Sequence, residues 1–117
     1  MDKVVLELEK ELRKFLLGEN NRSWLKVDDY MEVYVRKSQR LTNSGRMISC
    51  LDLANISISE EHRRKGLCKA VLSLFERVNP YDAVFLENVL NPQLFEHVIK
   101  REGWTLARES SCFLYEK

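Results

Sequence analysis

Residues 56–72 read ISISEEHRRKGLCKAVL and indicate the fold more clearly than any other part of the chain. Ile56 and Ile58 alternate with serines, which predicts the end of a β-strand. A polar loop rich in positive charge follows. From Leu67 onward, apolar residues recur at the spacing of an amphipathic helix. A strand, a loop and a helix in this order are typical of the crossover units from which α/β folds are built.

The positive charges of this loop stand where they are locally unfavourable. Arg63, Arg64 and Lys65 precede the predicted helix, and Lys69 lies in its first turn, although a helix N-terminus already carries partial positive charge. No Ser, Thr, Asp or Asn stands directly before Gly66 to cap the free amides. A bound anion would accept those amide hydrogen bonds and balance the cations, and glycine lets the backbone approach it closely. The loop therefore predicts a phosphate or pyrophosphate site, with an ordinary basic surface turn as the alternative.

The composition is that of a folded chain without a strong charge bias. The 117 residues suit a single domain, residues 1–117, and their net charge of +1 argues against a general binder of nucleic acid or membrane surfaces. Three widely spaced cysteines and two histidines do not suggest a zinc site and fit reduced thiols of a cytosolic protein. No apolar run reaches the length of a membrane span, and the N-terminus does not resemble a signal peptide. We therefore expect a cytoplasmic protein with no membrane partner.

Hydrophobic periodicity along the rest of the chain predicts the order of the elements. We expect a helix over 3–17, a loop with a short extended piece over 19–29, a strand hairpin over 30–36 and 47–53 with extended chain to 59, a helix from 67 that Pro80 ends, a buried strand over 83–89, a helix from Asn91 closed by Gly103, and a hairpin of 104–108 and 111–116. The expected fold is α/β, with a mixed central sheet, flanking helices and a right-handed parallel crossover between residues 56 and 89.

Two motifs in this order resemble those of the GCN5-related N-acetyltransferase superfamily. The family's acyl-CoA loop reads R/Q-x-x-G-x-G/A between an apolar strand and a helix, and RRKGLC, residues 63–68, stands in that place. The family's second signature is a strand, an Asn that opens a helix and a Gly-aromatic pair, which Asn91, Gly103 and Trp104 match. The resemblance covers about residues 30–115. It also extends to small acetyltransferase-like proteins of phage genomes, which would act in the host cytoplasm.

The resemblance implies a binding site for acetyl-CoA along the crossover. The amides of residues 64–69 would hold the pyrophosphate, and the pantetheine arm would lie along residues 55–58 as an added strand. The residues expected to bind coenzyme A are Ile56, Ser57, Ile58, Arg63, Arg64, Lys65, Gly66, Leu67, Cys68, Lys69 and Asn91. Asn91 is also a natural helix cap. Cys68 replaces the usual Gly or Ala, either as an inert small residue or as a thiol activated by nearby cations.

The catalytic residues of the family are only partly matched. Its usual general acid is a Tyr four residues before the Gly-aromatic pair, and Ile99 occupies that position. Acyl transfer to an amine also needs a base, acting directly or through water. Glu87 interrupts the apolar run of 83–89 and Asp52 lies inside an apolar strand, so burying either carboxylate is costly unless it has a partner or a task. We take Glu87 and Asp52 as catalytic candidates, with a charge at the sheet rim as the alternative for Glu87.

The expected function is transfer of an acetyl group from acetyl-CoA directly to an amine of a protein, a nucleobase or a small molecule. The resemblance implies a fold truncated at its N-terminal side, so that either the acceptor is large or a second subunit of a homodimer completes the acceptor pocket. A catalytically inactive protein that binds a protein or nucleic-acid partner is the alternative. Four basic residues cluster around the first hairpin: Arg36, Lys37, Arg40 and Arg46. They would contact phosphates if the enzyme acts on a nucleic-acid base; the alternative is a solvated hairpin end.

Overall fold

A computed structural model describes residues 2–63 and 66–117 of the chain. The described elements are, in chain order, α1 (Asp2–Leu17), β1 (Arg22–Val27), β2 (Met31–Leu41), β3 (Met47–Ile58), a single-turn 3-10 helix (Glu60–His62), α2 (Leu67–Val78), β4 (Ala83–Leu86), α3 (Pro92–Lys100), β5 (Trp104–Leu106) and β6 (Phe113–Glu116). None of these helices is long and apolar enough to cross a membrane.

The strands form one six-stranded mixed sheet in the order β1-β2-β3-β4-β6-β5. Every neighbouring pair is antiparallel except β3 and β4, which run parallel and are connected through α2. The predicted α/β class, the mixed sheet and the parallel strand–helix–strand unit are therefore confirmed. The turn at Gly45, whose φ is 86°, joins β2 to β3 as predicted.

The described helices pack their buried residues into one core on one face of the sheet. Alternation along each strand points every second side chain toward this face. The core takes Leu8 and Leu12 from α1, Leu72 and Phe75 from α2, Val98 from α3, and Val33, Leu51, Val84 and Phe113 from the sheet. Burial of these apolar stripes is what makes the segments helical in the folded chain, since short helices are marginal by themselves.

The opposite face of the sheet is covered unevenly. The far end of the β2–β3 hairpin reaches the β5–β6 connection, where the Asn43 side-chain amide donates to the Leu106 carbonyl at 2.9 Å. The Arg40 guanidinium lies 3.6 Å above the ring of Phe85. A second, smaller core forms beneath, made of Ile48, Cys50, Ala83, Phe85, Cys112 and Leu114. Over β1 and the start of β2 this face stays exposed.

Several element boundaries differ from the sequence prediction. Residues 22–27, expected to be mostly loop, form the full strand β1, and β2 continues beyond residue 36 to Leu41. The strand expected over 83–89 ends at Leu86, because Asn88 adopts a φ of 59° and turns the chain away. Helix α3 ends at Lys100, three residues before Gly103, and the Arg101 amide closes it by donating to the Val98 carbonyl.

Candidate functional site

An opening lies where β3 and β4 separate. The two strands pair from Cys50 to Leu53 on β3, and the last bond across them runs from the Glu87 amide to the Leu53 carbonyl at 3.1 Å. Beyond that point β3 continues to Ile58, whereas the chain after β4 turns toward β6, with the Val89 amide donating to the Ser111 carbonyl. Within the described residues, residues 54–58 thus have no strand partner on this side.

An extra residue in β3 marks the start of the opening. Val35 pairs with Leu53 but Tyr34 pairs with Asn55, so Ala54 is a one-residue bulge. A bulge bends its strand and increases the local twist. The Ser59 amide donates to the Tyr30 carbonyl, so the alternation of a strand turns the backbone groups of residues 56 and 58 toward the opening. The Ile58 carbonyl accepts from Arg63 Nε; the rest of this edge has no strand partner within the described residues and can pair with another extended chain.

The N-terminus of α2 lies at the end of the connection that leaves this edge. Its first helical bond runs from Ala70 to the Gly66 carbonyl, so the amides of residues 67–69 have no helical acceptor. The N-cap residue, Gly66, makes no side-chain cap, and the first turn of the helix contains no acidic residue. Gly66 has a φ of 76°, and the space where a Cβ would stand is open. The amides of residues 67–69 are therefore the described backbone donors that an anion at this helix start would meet.

The predicted cofactor residues around this loop have different environments. The Arg63 guanidinium Nε donates to the Ile58 carbonyl at 2.9 Å, which ties the loop to the end of β3. The side chain of Leu67 is buried in the core, so only its amide is available. Lys69 is exposed and Ser57 lies on the uncovered face of the sheet. Two of the predicted residues, Arg64 and Lys65, lie outside the described residues.

Cys50 and Cys68 are not activated thiols. Burial raises the pKa of Cys68, which is the opposite of the shift that a reactive cysteine needs. Burial, together with the negative charge of Asp52, raises the pKa of Cys50 to about 12. Of the two roles that the sequence suggested for Cys68, this favours the inert small residue over the activated thiol. The three cysteines form no disulfide.

Glu87 lies directly beyond the end of β4, at the closed end of the opening. Its carboxylate forms an ion pair with the Arg36 guanidinium of β2, and both side chains are about a third exposed, at 32% each. Sequence reasoning proposed Glu87 but missed this partner, which is 51 residues away in the chain. No periodic or motif signal pairs the two positions. Glu87 is thus accessible to a reactant, but its charge is already balanced.

Asp52 is the centre of a buried polar network on the face opposite the helices. The carboxylate has no exposed surface. It accepts a hydrogen bond from the Ser38 hydroxyl at 2.6 Å and one from Arg40 Nη2 at 2.8 Å, and Arg36 Nε lies 3.5 Å away. Burial opposes the charge of Arg40, but the hydrogen bond and charge of Asp52 outweigh it and raise the pKa of Arg40. This geometry supports a structural role for Asp52 rather than proton transfer to a substrate.

The second motif is engaged in structural contacts. The Asn91 Oδ1 atom accepts from the amides of Gln93 and Leu94 at 2.9 and 3.1 Å, so the side chain caps α3. Ile99, in the position of the family's tyrosine, is 44% exposed on α3. Tyr115 packs against Gly103, where an added Cβ would lie 2.6 Å from its ring, and therefore is not free to replace that tyrosine.

The basic cluster at the hairpin is largely neutralised. Arg36 contacts Asp52 and Glu87, Arg40 contacts Asp52 and Glu109, and Arg46 contacts Glu116. The ammonium group of Lys37 donates to the Gly18 carbonyl and lies over the ring of Phe15. These contacts favour the hypothesis that the cluster is a solvated hairpin end, and not a surface that binds phosphates.

His97 is a polar residue that the sequence reading did not connect to the site. Its Nε2 atom is buried without a hydrogen-bond partner within the described part of the chain. Burial, with the nearby charges of Lys69 and Arg101, lowers the pKa of His97. The imidazole is therefore neutral in the folded protein at neutral pH, between α3 and the start of α2.

Two shallow depressions, of about 320 and 290 Å³, lie on the surface; Ser57 and Ser59 line part of the smaller one, and neither is lined by the start of α2. The described residues contain no group of three or more His, Cys, Asp or Glu that would hold a metal ion. No protein-family model and no curated protein matches the chain. What the site does is therefore inferred from its geometry and from the two motifs.

Proposed function

We propose that this protein is an acyl-CoA-dependent N-acyltransferase of the GCN5-related superfamily, which transfers an acetyl group from acetyl-CoA to an amine. The observation that carries the proposal is that β3 has an edge without a strand partner among the described residues, and that the connection from this edge ends at a helix N-terminus whose N-cap residue, Gly66, makes no side-chain cap. An extended amide-containing chain that ends in a pyrophosphate is complementary to both parts. Coenzyme A has these two features.

The pantetheine arm would hydrogen-bond to the backbone of residue 56 and to the amide of residue 58 as an added strand, since the Ile58 carbonyl already accepts from Arg63. The pyrophosphate would accept bonds from the amides of residues 67–69, where the helix dipole also favours an anion. The contact between Arg63 and the Ile58 carbonyl holds the end of the strand close to the loop. One extended cofactor would thus contact both the edge of β3 beyond the bulge and the start of α2.

The reaction would proceed by direct attack. The amine nitrogen adds to the thioester carbonyl carbon, the C–S bond breaks, and the thiolate leaves. Glu87, directly beyond the last residue of β4, would accept the amine proton itself or through a water molecule, and Arg36, its ion-pair partner, would orient the carboxylate. With Ile99 in the usual acid position, water would protonate the thiolate, which is a fair leaving group because a thiol pKa is about 8.5.

Calorimetric titration with acetyl-CoA tests the cofactor site. Gly66→Asp should weaken binding about tenfold or more, because a carboxylate there repels the pyrophosphate, and tenfold corresponds to ~1.4 kcal/mol. Gly45→Asp is a matched control, since Gly45 has a similar φ of 86° and equally open space, but lies in the β2–β3 turn. No binding by the wild type, or equal weakening by both variants, would refute the site.

Binding without catalysis is the second candidate, and the ion pair of Glu87 with Arg36 favours it, since a paired carboxylate is a poor base. Thiol release and the mass of a supplied amine separate the two functions. As an enzyme, the protein should lose turnover and pH dependence in Glu87→Gln while keeping its affinity for acetyl-CoA. Tight cofactor binding with no acetylated product across a panel of peptide, nucleotide and small amines would identify a binding protein.

A further inference from the structure

The uncovered face of the sheet carries an aromatic pair in the row that leads to the opening. Trp24 of β1 and Tyr34 of β2 are direct cross-strand neighbours, and their ring centroids are 4.8 Å apart. Trp24 is 54% exposed, although tryptophan is among the side chains that gain most from burial. On β3 the neighbour of Tyr34 is Asn55, an exposed residue directly after the bulge. This row therefore runs from the edge of the sheet to the opening between β3 and β4.

The aromatic pair also lies close to Glu87, the proposed base. The Arg36 guanidinium forms the ion pair with Glu87, and its central carbon lies 5.9 Å from the centroid of the Tyr34 ring. Alternation along β2 places Tyr34 and Arg36 on the same face of the sheet. A planar group stacked on the rings would therefore lie beside the carboxylate that accepts the proton of the amine.

A cation without a counter-charge lies beside the exposed ring. Arg22 is exposed and lies two residues before Trp24, on the same face of β1. Its cross-strand neighbour is Arg36, and like charges in directly opposite positions are unfavourable. Arg36 is balanced by Asp52 and Glu87, whereas Arg22 forms no ion pair within the described part of the chain. An anion beside Trp24 would balance the charge of Arg22.

We propose that the acceptor is a nucleotide, whose base stacks on Trp24 and Tyr34 and whose phosphate pairs with Arg22. The inference rests on the proposed function, because it names the substrate of the same site. Exposed aromatic side chains stack on any base, since every base has a π face. The side-chain amide of Asn55 offers both a donor and an acceptor to the polar edge of the base.

The reacting group is the exocyclic amine of the base. Its nitrogen forms a bond to the thioester carbonyl carbon, the C–S bond breaks, and the electron pair of that bond leaves with the sulfur. The lone pair of such an amine is delocalised into the ring, so its attack needs a base that removes a proton. Glu87 takes that proton, directly or through water. Stacking on the rings holds the amine close to this carboxylate.

The charges on this face suit one phosphate and not a long strand. Lys26, two residues after Trp24, lies 3.9 Å from the Glu32 carboxylate. Asp28 and Asp29 are exposed directly beyond β1 and would repel phosphates. A strand that binds through its backbone needs several Lys or Arg side chains along its path. The face therefore fits a free nucleotide with a single phosphate group.

The indole N–H signals of the two tryptophans report on binding by NMR. Trp24 lies in the proposed site, while Trp104 is buried and its indole nitrogen donates to Glu76 at 2.6 Å. Millimolar cytidine monophosphate should shift the Trp24 signal in a saturable way and leave the Trp104 signal in place. Cytosine is the base of choice because coenzyme A contains adenine, which would compete for the cofactor site. Ribose 5-phosphate should bind about tenfold more weakly, because it cannot stack.

Variants separate the roles of the ring and the cation, with backbone amide signals of β1 and β2 as the readout. Trp24→Leu removes the π face and should weaken nucleotide binding about fivefold or more, whereas Trp24→Phe keeps a ring and should retain most of the affinity. Arg22→Gln should weaken binding about threefold, as expected when one exposed ion pair is lost. Arg108→Gln removes an exposed arginine from the β5–β6 connection and should leave the affinity unchanged.

Acetyl transfer tests the acceptor role. With acetyl-CoA, cytidine monophosphate should gain one acetyl group in mass. Uridine monophosphate, which has a carbonyl in place of the amine, should shift the Trp24 signal equally and gain none. The proposal is overturned if the Trp24 signal does not respond, if Arg22→Gln and Arg108→Gln weaken binding equally, or if the bound nucleotide stays unmodified in a protein that binds acetyl-CoA. Failure of the proposed function shows separately, as absence of acetyl-CoA binding by calorimetry, and it removes the acceptor role whether or not Trp24 responds to the nucleotide.

Discussion

Replacing Asp52 by Asn tests whether this carboxylate is structural or catalytic. Asp52 is fully buried and receives hydrogen bonds from Ser38 and Arg40, with Arg36 close by. The amide of Asn keeps the shape of the side chain but removes the charge. It also places an N–H₂ donor where a carboxylate oxygen faced a guanidinium. Two partly buried cations then lose their common counter-charge.

The expected loss of stability follows from this geometry. Removing one partner of a buried ion pair typically costs about 3–5 kcal/mol. The Arg36 and Arg40 side chains are 32% and 20% exposed, so water compensates for part of the loss, and we expect about 2–4 kcal/mol. That is a large fraction of the roughly 5–15 kcal/mol by which a domain is stable.

Urea unfolding followed by circular dichroism measures the effect, with Glu109→Gln as the matched control. Glu109 is the exposed outer partner of Arg40, 3.3 Å from its guanidinium and 43% exposed, so the same chemical change should cost about 0–1 kcal/mol there. Equal effects of the two variants would refute the structural reading. So would an Asp52→Asn protein that keeps its stability but loses acetyl transfer, because that result would identify a catalytic residue.

Three further predictions concern single positions. Asn91→Ala should cost about 1 kcal/mol of unfolding free energy through loss of the α3 cap and leave acetyl-CoA affinity unchanged; weaker binding would make Asn91 a ligand. Because the pKa of His97 is lowered, the folded state binds fewer protons than the unfolded state, and the free energy of unfolding should fall as the pH drops below about 6.5. Urea unfolding at neutral and acidic pH should show a smaller fall for His97→Gln than for the wild type; an equal fall in the two proteins would contradict this. Deletion of Ala54 should straighten β3, narrow the opening and weaken acetyl-CoA binding in a folded protein; unchanged calorimetric affinity would separate the bulge from cofactor binding.

The parts of the fold that were predictable have apolar residues in a regular period. Helix α1, the β2–β3 turn and the start of α2 follow directly from spacing, Gly and charge. Strand β1 was harder because only Leu25 and Val27 of its six residues are buried. The end of β4 was misplaced because Val89 prolongs the apolar run but is buried beside Ser111 instead of β3.

The candidate site was predictable only where chemistry is local. The uncapped helix start and the carboxylate of Glu87 are visible in single segments. The ion pair of Glu87 with Arg36 depends on strand register across the sheet, which sets residues far apart in sequence side by side. The exposure of Trp24 could not be predicted either, because the sequence does not show which face of the sheet is covered, and so does not distinguish an exposed tryptophan from a buried one.

The bulge in β3 did leave a signal in the sequence, in the parity of the apolar positions. Leu51 and Leu53 face the helices at odd numbers, whereas Ile56 and Ile58 pack on the same core at even numbers. A regular strand alternates strictly, so this change of parity requires one extra residue between 53 and 56. The extra residue keeps both isoleucines on the core while it bends β3 away from β4. The same local irregularity therefore preserves the core and lies at the start of the edge that has no strand partner within the described residues, on which the proposed function depends.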